Sequence, residues 1–154
     1  MRRYFPQVLN REQSLEEMAR IEKRILSRVY GFFAAQLKQT NEFIGFIVFS
    51  NPGFEAYFTP CVEIGLRLDE KFWGNGFATE GAKKCLTAGP AQFRFREIFS
   101  FTSIHNKVSE RVMIKIGLGK LRNFKHPSLP LDHWLSKDVM YKAEFKPSQK
   151  HEEI

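Results

Sequence analysis

Several protein classes are excluded by what this chain of 154 residues lacks. It has only two cysteines, Cys61 and Cys85, and they form no CxxC pair. Neither a disulfide framework nor a cysteine zinc site follows from that spacing. It reads as two reduced, partly buried thiols in a cytoplasmic protein. The four histidines, His105, His126, His133 and His151, contain no HxxxH pair, so no metal is expected. No apolar run approaches the roughly 20 residues needed to span a bilayer. The start, "MRRYFPQVLN", has two arginines but no apolar stretch behind them, unlike a secretory signal. Internal repeats, low-complexity segments and linkers are also missing, so residues 1–154 read as one domain with a frayed tail over 146–154.

What is present is an apolar content of 43% and 16 phenylalanines, which argues for a packed core over disorder. The net charge is +7. An acidic partner, a nucleic acid or a phosphate-bearing ligand could each answer it. Solubility alone is a further explanation; the lysines and arginines are spread along the whole chain, which weakens the nucleic-acid reading and leaves a small anionic site open.

Element signals are readable along most of the chain. Asn10 followed by Gln13 forms a capping-box pattern, and Leu15, Met18, Ile25 and Val29 then recur on one helical face before Gly31. "FFAAQL" (Phe32 to Leu37) and "FIGFIVFS" (Phe43 to Ser50) predict two strands joined by the polar loop "KQTNE". "CVEIGLRL" (Cys61 to Leu68) alternates, with Val62, Ile64, Leu66 and Leu68 on one face and Glu63, Gly65 and Arg67 on the other. A helix is predicted from about Gly76 to "AGP", with Ala78, Ala82, Cys85 and Leu86 inward. "EIFSFT" (Glu97 to Thr102) predicts a strand. "NKVSERVMIKIG" predicts a helix capped by Asn106 and stopped by Gly117, with Val108, Val112 and Ile116 on its apolar side. After a ragged stretch containing "HPSLPLDHW", "DVMYKAEF" (Asp138 to Phe145) predicts the last strand. The order implies an α/β fold on a mixed sheet.

The most informative stretch is "EKFWGNGFATEGAKKCL" (Glu70 to Leu86). A strand leads into two glycines, Gly74 and Gly76, and then a helix. First-turn amides have no partner within a helix, the helix dipole favours an anion there, and glycine lets a ligand come close. No GK[ST] follows, which excludes a Walker loop, and the third glycine of a dinucleotide fingerprint is missing.

Three segments together, "CVEIGLRLDEKFWGNGFATEG", "FTSIHNKVSERVMIKIGL" and "FKHPSLPLDHW…DVMYK", resemble the GNAT superfamily of acetyl-CoA-dependent N-acetyltransferases. The closer similarity is to the RimJ/RimL type, which acetylates the N-termini of ribosomal proteins. It runs from the first hairpin to about residue 145. The resemblance implies a mostly antiparallel sheet with one splayed pair of parallel strands, flanked by helices. It also implies transfer of an acetyl group from acetyl-CoA to a primary amine, either a protein N-terminus or a small amine, with no metal. The family's turn pattern is [QR]-x-x-G-x-[GA]; here Lys71 replaces Gln or Arg. Carried over to this turn, Phe72, Gly74, Asn75, Gly76 and Ala78 grip the pyrophosphate, with Lys71 as a helper. Backbone groups from Ile64 through Leu66 to Leu68 hold the pantetheine arm, and Asn106 lies near the cofactor.

Direct attack of an amine on a thioester needs no covalent enzyme intermediate. It needs a base for the amine, a donor for the oxyanion and a proton for the thiolate. Glu63, on the polar face of the key strand, is the candidate base; pairing with Arg67 or plain solvation are the alternatives. Many family members place a tyrosine acid where this chain has Met113. The RimJ/RimL type offers a serine instead, and Ser109 matches; the alternative is a polar first-turn residue with water as the acid. His105 and His126 read as hydrogen-bonding residues, and Trp73 and Trp134 as packing or pocket wall.

Members of this branch usually begin with a strand and a helix before the segment equivalent to "RYFP". The expectation is that these are missing here, leaving the edge of "FFAAQL" open. A homodimer through that edge is one outcome. An acetyl-CoA-binding but inactive sensor is the alternative function, and a basic ribosome- or RNA-binding protein a third.

Overall fold

The computed structural model describes residues 9–27 and 30–146. In chain order the elements are α1 (Arg11–Ser27), β1 (Phe32–Gln36), β2 (Phe43–Ser50), β3 (Glu63–Leu68), α2 (Phe77–Phe93), β4 (Glu97–Ser103), α3 (Lys107–Lys115), β5 (Gly119–Lys125) and β6 (Lys137–Glu144). The strands form one six-stranded sheet in the order β1-β2-β3-β4-β6-β5. Every neighbouring pair is antiparallel except β3 and β4, which run parallel and share a single register pair, Glu63 with Phe99. This is the mixed sheet with one splayed parallel pair that the resemblance implied.

The sheet carries two apolar clusters, one on each face. Ile64, Ile98 and Val139 of the strands pack with Ala82 of α2 and Met113 of α3. Ile64 and Ile98 are fully buried, and each contributes about 1.5–3 kcal/mol through lost water contact. On the other face Cys61, Phe99 and Met140 pack with Phe58, Phe101 and Phe124. Strand alternation divides the two sets, since successive side chains point to opposite faces.

Local signals fix several boundaries. Asn10 and Gln13 close the capping box on α1 with bonds of 2.8 and 3.0 Å. Asn106 caps α3, its Oδ1 accepting from the Ser109 N–H. Gly117 ends that helix at φ 91°.

Three expectations need correction. The stretch after Gly117 is not wholly ragged, because β5 pairs with β6. Its sequence, "GKLRNFK", shows no alternation, since an edge strand with mostly exposed residues buries neither face. Helix α2 does not end at "AGP" but runs on to Phe93 with Pro90 inside it. Phe93 packs against Tyr30, Phe49 and Phe95, and this ring contact outweighs the bond that proline removes. The apolar stripe of α1 is not inward: Leu15, Met18 and Ile25 are exposed. Val29 and the tail 147–154 lie outside the described residues.

Candidate active site

The site begins where β3 and β4 part. The Phe99 N–H donates to the Val62 carbonyl at 2.8 Å. One step on, the Ser100 hydroxyl donates to the Ile64 carbonyl at 2.9 Å, in place of a ladder bond. Beyond it the strands diverge. Peptide groups of successive strand residues point to opposite sides. The carbonyls of Val62 and Ile64 point toward β4, so the N–H and C=O of Leu66 and Leu68 point the same way, into the gap. The Leu68 carbonyl is taken by the Trp73 indole N–H at 3.0 Å. The peptide of Leu66 remains as a donor and acceptor facing the gap.

The gap opens into a cavity of about 270 Å³ between β3, the glycine turn and α3. Gly74 (φ 79°) and Gly76 (φ 82°) form the turn in the left-handed region, and a Cβ at either would stand in open space. Backbone conformation, not crowding, therefore favours glycine there. Gly76 caps α2 with no side-chain hydrogen bond. The first amides of α2 are thus left to a ligand, at the positive end of a helix of 17 residues. Arg67, Arg111 and Lys115 also line the cavity. This combination fits the diphosphate and adenosine phosphate of coenzyme A.

Asn106 orders the opposite wall. Its Nδ2 donates to Ser109 Oγ at 2.9 Å and to Thr102 Oγ1 at 3.0 Å. A hydroxyl has one proton to give. With Asn106 filling an acceptor position on Ser109, the Ser109 O–H proton is free to point into the cavity that Ser109 lines.

Glu63 stands at the apex of the gap, on the face away from α2 and α3. Burial pushes its carboxyl up to about 8, with the charge of Asp138 adding to the rise. The pairing with Arg67 is not formed; the Arg67 guanidinium lies 5.3 Å from the centre of the Phe46 ring. Burial also pushes the Cys61 thiol up to about 11 and raises Cys85, so neither is a ready thiolate. Burial lowers His126 below its usual range.

Of the residues singled out from the sequence, Leu66, Leu68, Phe72, Gly74, Gly76, Ala78, Asn106 and Ser109 line the cavity together. Ile64 is a core side chain whose carbonyl faces the gap. Lys71 reaches away to Glu42 at 2.9 Å, an exposed ion pair. Asn75 braces the turn by donating to the carbonyls of Phe72 and Trp73. Sequence reasoning missed Ser100, Arg111, Lys115 and Asp138. Arg111 and Lys115, one helical turn apart on α3, could have been found by asking which residues share the face of Val108, since the offsets of three and seven residues put them there. Ser100 and Asp138 depend on strand pairing. Among the described residues no group of acids, histidines and cysteines could hold a metal ion, and no helix is long and apolar enough to cross a membrane.

This fold and cavity define an acetyltransferase-type architecture, and comparison with known proteins makes the class specific. The family described as acetyltransferase (GNAT) domain matches residues 1–119. The chain belongs to that family. Two curated relatives are an uncharacterized protein of Bacillus subtilis (strain 168), YkkB, and the FsC-acetyl coenzyme A-N(2)-transacetylase of Aspergillus fumigatus. The first is 31% identical over 97 residues, covering 63% of this chain and 55% of that protein. The second is 32% identical over 89 residues, covering 54% of this chain and 37% of that protein. The chain thus spans about half the length of the first relative and less of the second. Among solved structures, a GNAT-family acetyltransferase from Bacillus anthracis superposes with a TM-score of 0.72 at 24% identity, over 92% of this chain and 79% of that one. It shows the same fold.

Proposed function

We propose that this chain is an acetyl-CoA-dependent N-acetyltransferase of the RimJ/RimL type, acting on a primary amine such as a protein N-terminus or a small amine. One observation carries the reading: an uncapped, glycine-turned helix start and a strand gap open onto the same cavity, with Glu63 at the apex of the gap. The amides at the start of α2 would hold the diphosphate, and the Leu66 peptide would hold the pantetheine arm. Acetyl-CoA supplies an activated acyl carbon. Glu63, with its raised proton affinity, takes a proton from the ammonium form of the acceptor and passes it to water. A carboxylate near 8 is a better match for an amine near 8–10 than one near 4. A strand amide in the gap stabilises the oxyanion. As the C–N bond forms and the C–S bond breaks, Ser109 gives its proton to the leaving sulfur. The nitrogen's second proton passes to the Ser109 oxygen and restores its hydroxyl, so the net reaction releases one proton, the one Glu63 passed to water.

The test is thermal unfolding with and without acetyl-CoA, followed by thiol release with a panel of amines. Ligand at one hundred times its dissociation constant adds about 2.7 kcal/mol, or roughly 5–11 °C for a chain of this size. No shift removes the reading. A shift with no turnover on any amine assigns a binding protein instead.

Among the described residues no strand pairs with the outer edge of β1, and Phe33 and Phe43 near it are exposed. A homodimer through this edge is part of the proposal. Light scattering that returns a monomer near 18.0 kDa removes it.

A further inference from the structure

Strand β4 changes character halfway along its helix side. Ile98, Ser100 and Thr102 share that side, because alternate residues of a strand point the same way. Ile98 is fully buried and belongs to the main core cluster. Ser100, the next residue on that side, is only 5% exposed and yet polar. Its hydroxyl donates to the Ile64 carbonyl at 2.9 Å, across to β3. Glu63 with Phe99 is the single register pair of these strands, so the bond stands where regular pairing has just stopped. Thr102 is bonded to the other wall of the cavity, its Oγ1 accepting from Asn106 Nδ2 at 3.0 Å.

A continued parallel ladder would put a backbone N–H of β4 on the Ile64 carbonyl and hold the strands about 4.8 Å apart. A serine hydroxyl oxygen is two bonds from its own Cα, where a backbone nitrogen is one. A hydrogen bond of ordinary length from the hydroxyl therefore reaches a strand that stands farther off. The residue at the Ile64 end is fully buried, and a buried carbonyl needs a partner. Without the hydroxyl it has two ways to find one. It can draw in a backbone N–H of β4, which extends the ladder and closes the gap, or it can turn toward water, which rotates the chain leading to Leu66. Either change moves the Leu66 peptide, the next one that faces the gap. Ser100 stands behind the cavity wall and is not part of its lining, so neither change touches the glycine turn or the start of α2.

We propose that Ser100 is a positioning residue for the pantetheine arm of the donor: its hydroxyl, bonded to the Ile64 carbonyl, fixes where β3 leaves β4 and so where the Leu66 peptide meets the arm. The phosphates of the donor are gripped separately, by the start of α2. A loss at Ser100 therefore falls on the arm and spares the nucleotide. This deepens the acetyltransferase reading and rests on it.

The experiment measures, by calorimetry, the affinity of two ligands: coenzyme A, and 3′-phosphoadenosine 5′-diphosphate, which is coenzyme A without its pantetheine arm. The proteins are wild type, Ser100→Ala, Ser100→Cys and Ser100→Thr. Wild type is expected to hold coenzyme A the more tightly of the two. Ser100→Ala is expected to weaken coenzyme A about tenfold, the scale of one hydrogen bond, and to leave the armless ligand unchanged. A residue that only stabilised the fold would not separate the two ligands. Ser100→Thr keeps the hydroxyl and should bind coenzyme A within about threefold of wild type. Ser100→Cys keeps the size but offers a weak donor, so it should fall between, and it carries the comparison if Ser100→Ala does not fold. The proposal is overturned if wild type holds both ligands equally or if Ser100→Thr binds coenzyme A as weakly as Ser100→Ala. It is also overturned if the alanine or cysteine variant binds coenzyme A like wild type, or loses both ligands by the same factor. Wild-type protein that binds neither ligand is a separate result, and it removes the acetyltransferase reading together with the role of Ser100.

Discussion

The two faces of the sheet at the β3–β4 gap are built from different parts of the chain. On the helix side the wall is largely backbone: the glycine turn, the open start of α2, the Leu66 peptide, and Asn106 tying α3 to β4. On the far face it is side chains, with Glu63, Asp138 and a group of phenylalanines brought together from several strands and loops. A grip made of amides tolerates most side-chain changes except where φ is positive. A wall made of side chains changes with a single substitution. One side can therefore hold a constant cosubstrate while the other sets which acceptor enters.

Four substitutions or conditions sharpen that contrast. The largest effect is expected from Glu63→Gln. Removing a general base costs about 10²–10⁴ in kcat/KM for the amine, and the rise of rate toward pH 8 should disappear with it, while calorimetry gives an unchanged acetyl-CoA affinity. Loss of acetyl-CoA binding in this variant would show that the two faces are not separate.

Gly76→Val should act on the other side alone. A branched residue at φ 82° is strained and stands where a ligand approaches. The roughly 2.7 kcal/mol of ligand stabilisation expected at one hundred times the dissociation constant should vanish. A thermal shift equal to that of the parent would show that the turn holds no phosphate.

Ser109→Ala is expected to cost about 10–100-fold in kcat, near the low end for proton transfer because a thiolate is a good leaving group. Turnover at the parent rate would make water the acid.

The smallest effect is on the pH dependence of stability. The carboxyls of Glu63 and Asp138 are raised in the folded protein, to about 8 and about 7. Between the unfolded values near 4 and these, the folded state holds more protons, so stability falls as pH rises through that window and levels above about 8. Burial is the main cause of both rises. The double variant Glu63→Gln with Asp138→Asn should flatten the fall. An unchanged slope in chemical denaturation between pH 5 and 8 would mean that neither acid is desolvated.

Much of the fold was legible in the chain, for local reasons. The capping box at Asn10, the alternation before the glycine turn and the stop at Gly117 are short-range patterns; the first and last set helix ends, and the alternation became β3 over Glu63–Leu68, two residues shorter than the 61–68 it predicts. The misses have a common cause. β5 is an edge strand of mostly exposed residues, so nothing in its own sequence marks it as a strand. α2 continues through Pro90 because distant rings hold Phe93. Half of the candidate site was legible too, since the glycine turn, Asn106 and Ser109 are sequence motifs. Asp138 was not, because an acid at the start of a strand resembles a solvated residue until the strands on either side are known.

The sequence by itself determined the glycine turn, the helix caps and the alternation of the strand before the turn, because these depend on backbone propensity within a few residues. Only the tertiary structure decided that β3 and β4 part after one register pair, that Ser100 takes over the bond at the apex, and that Asp138 faces the same side as Glu63. Those are relations between segments far apart in the chain, and strand pairing alone sets which of their side chains share a face.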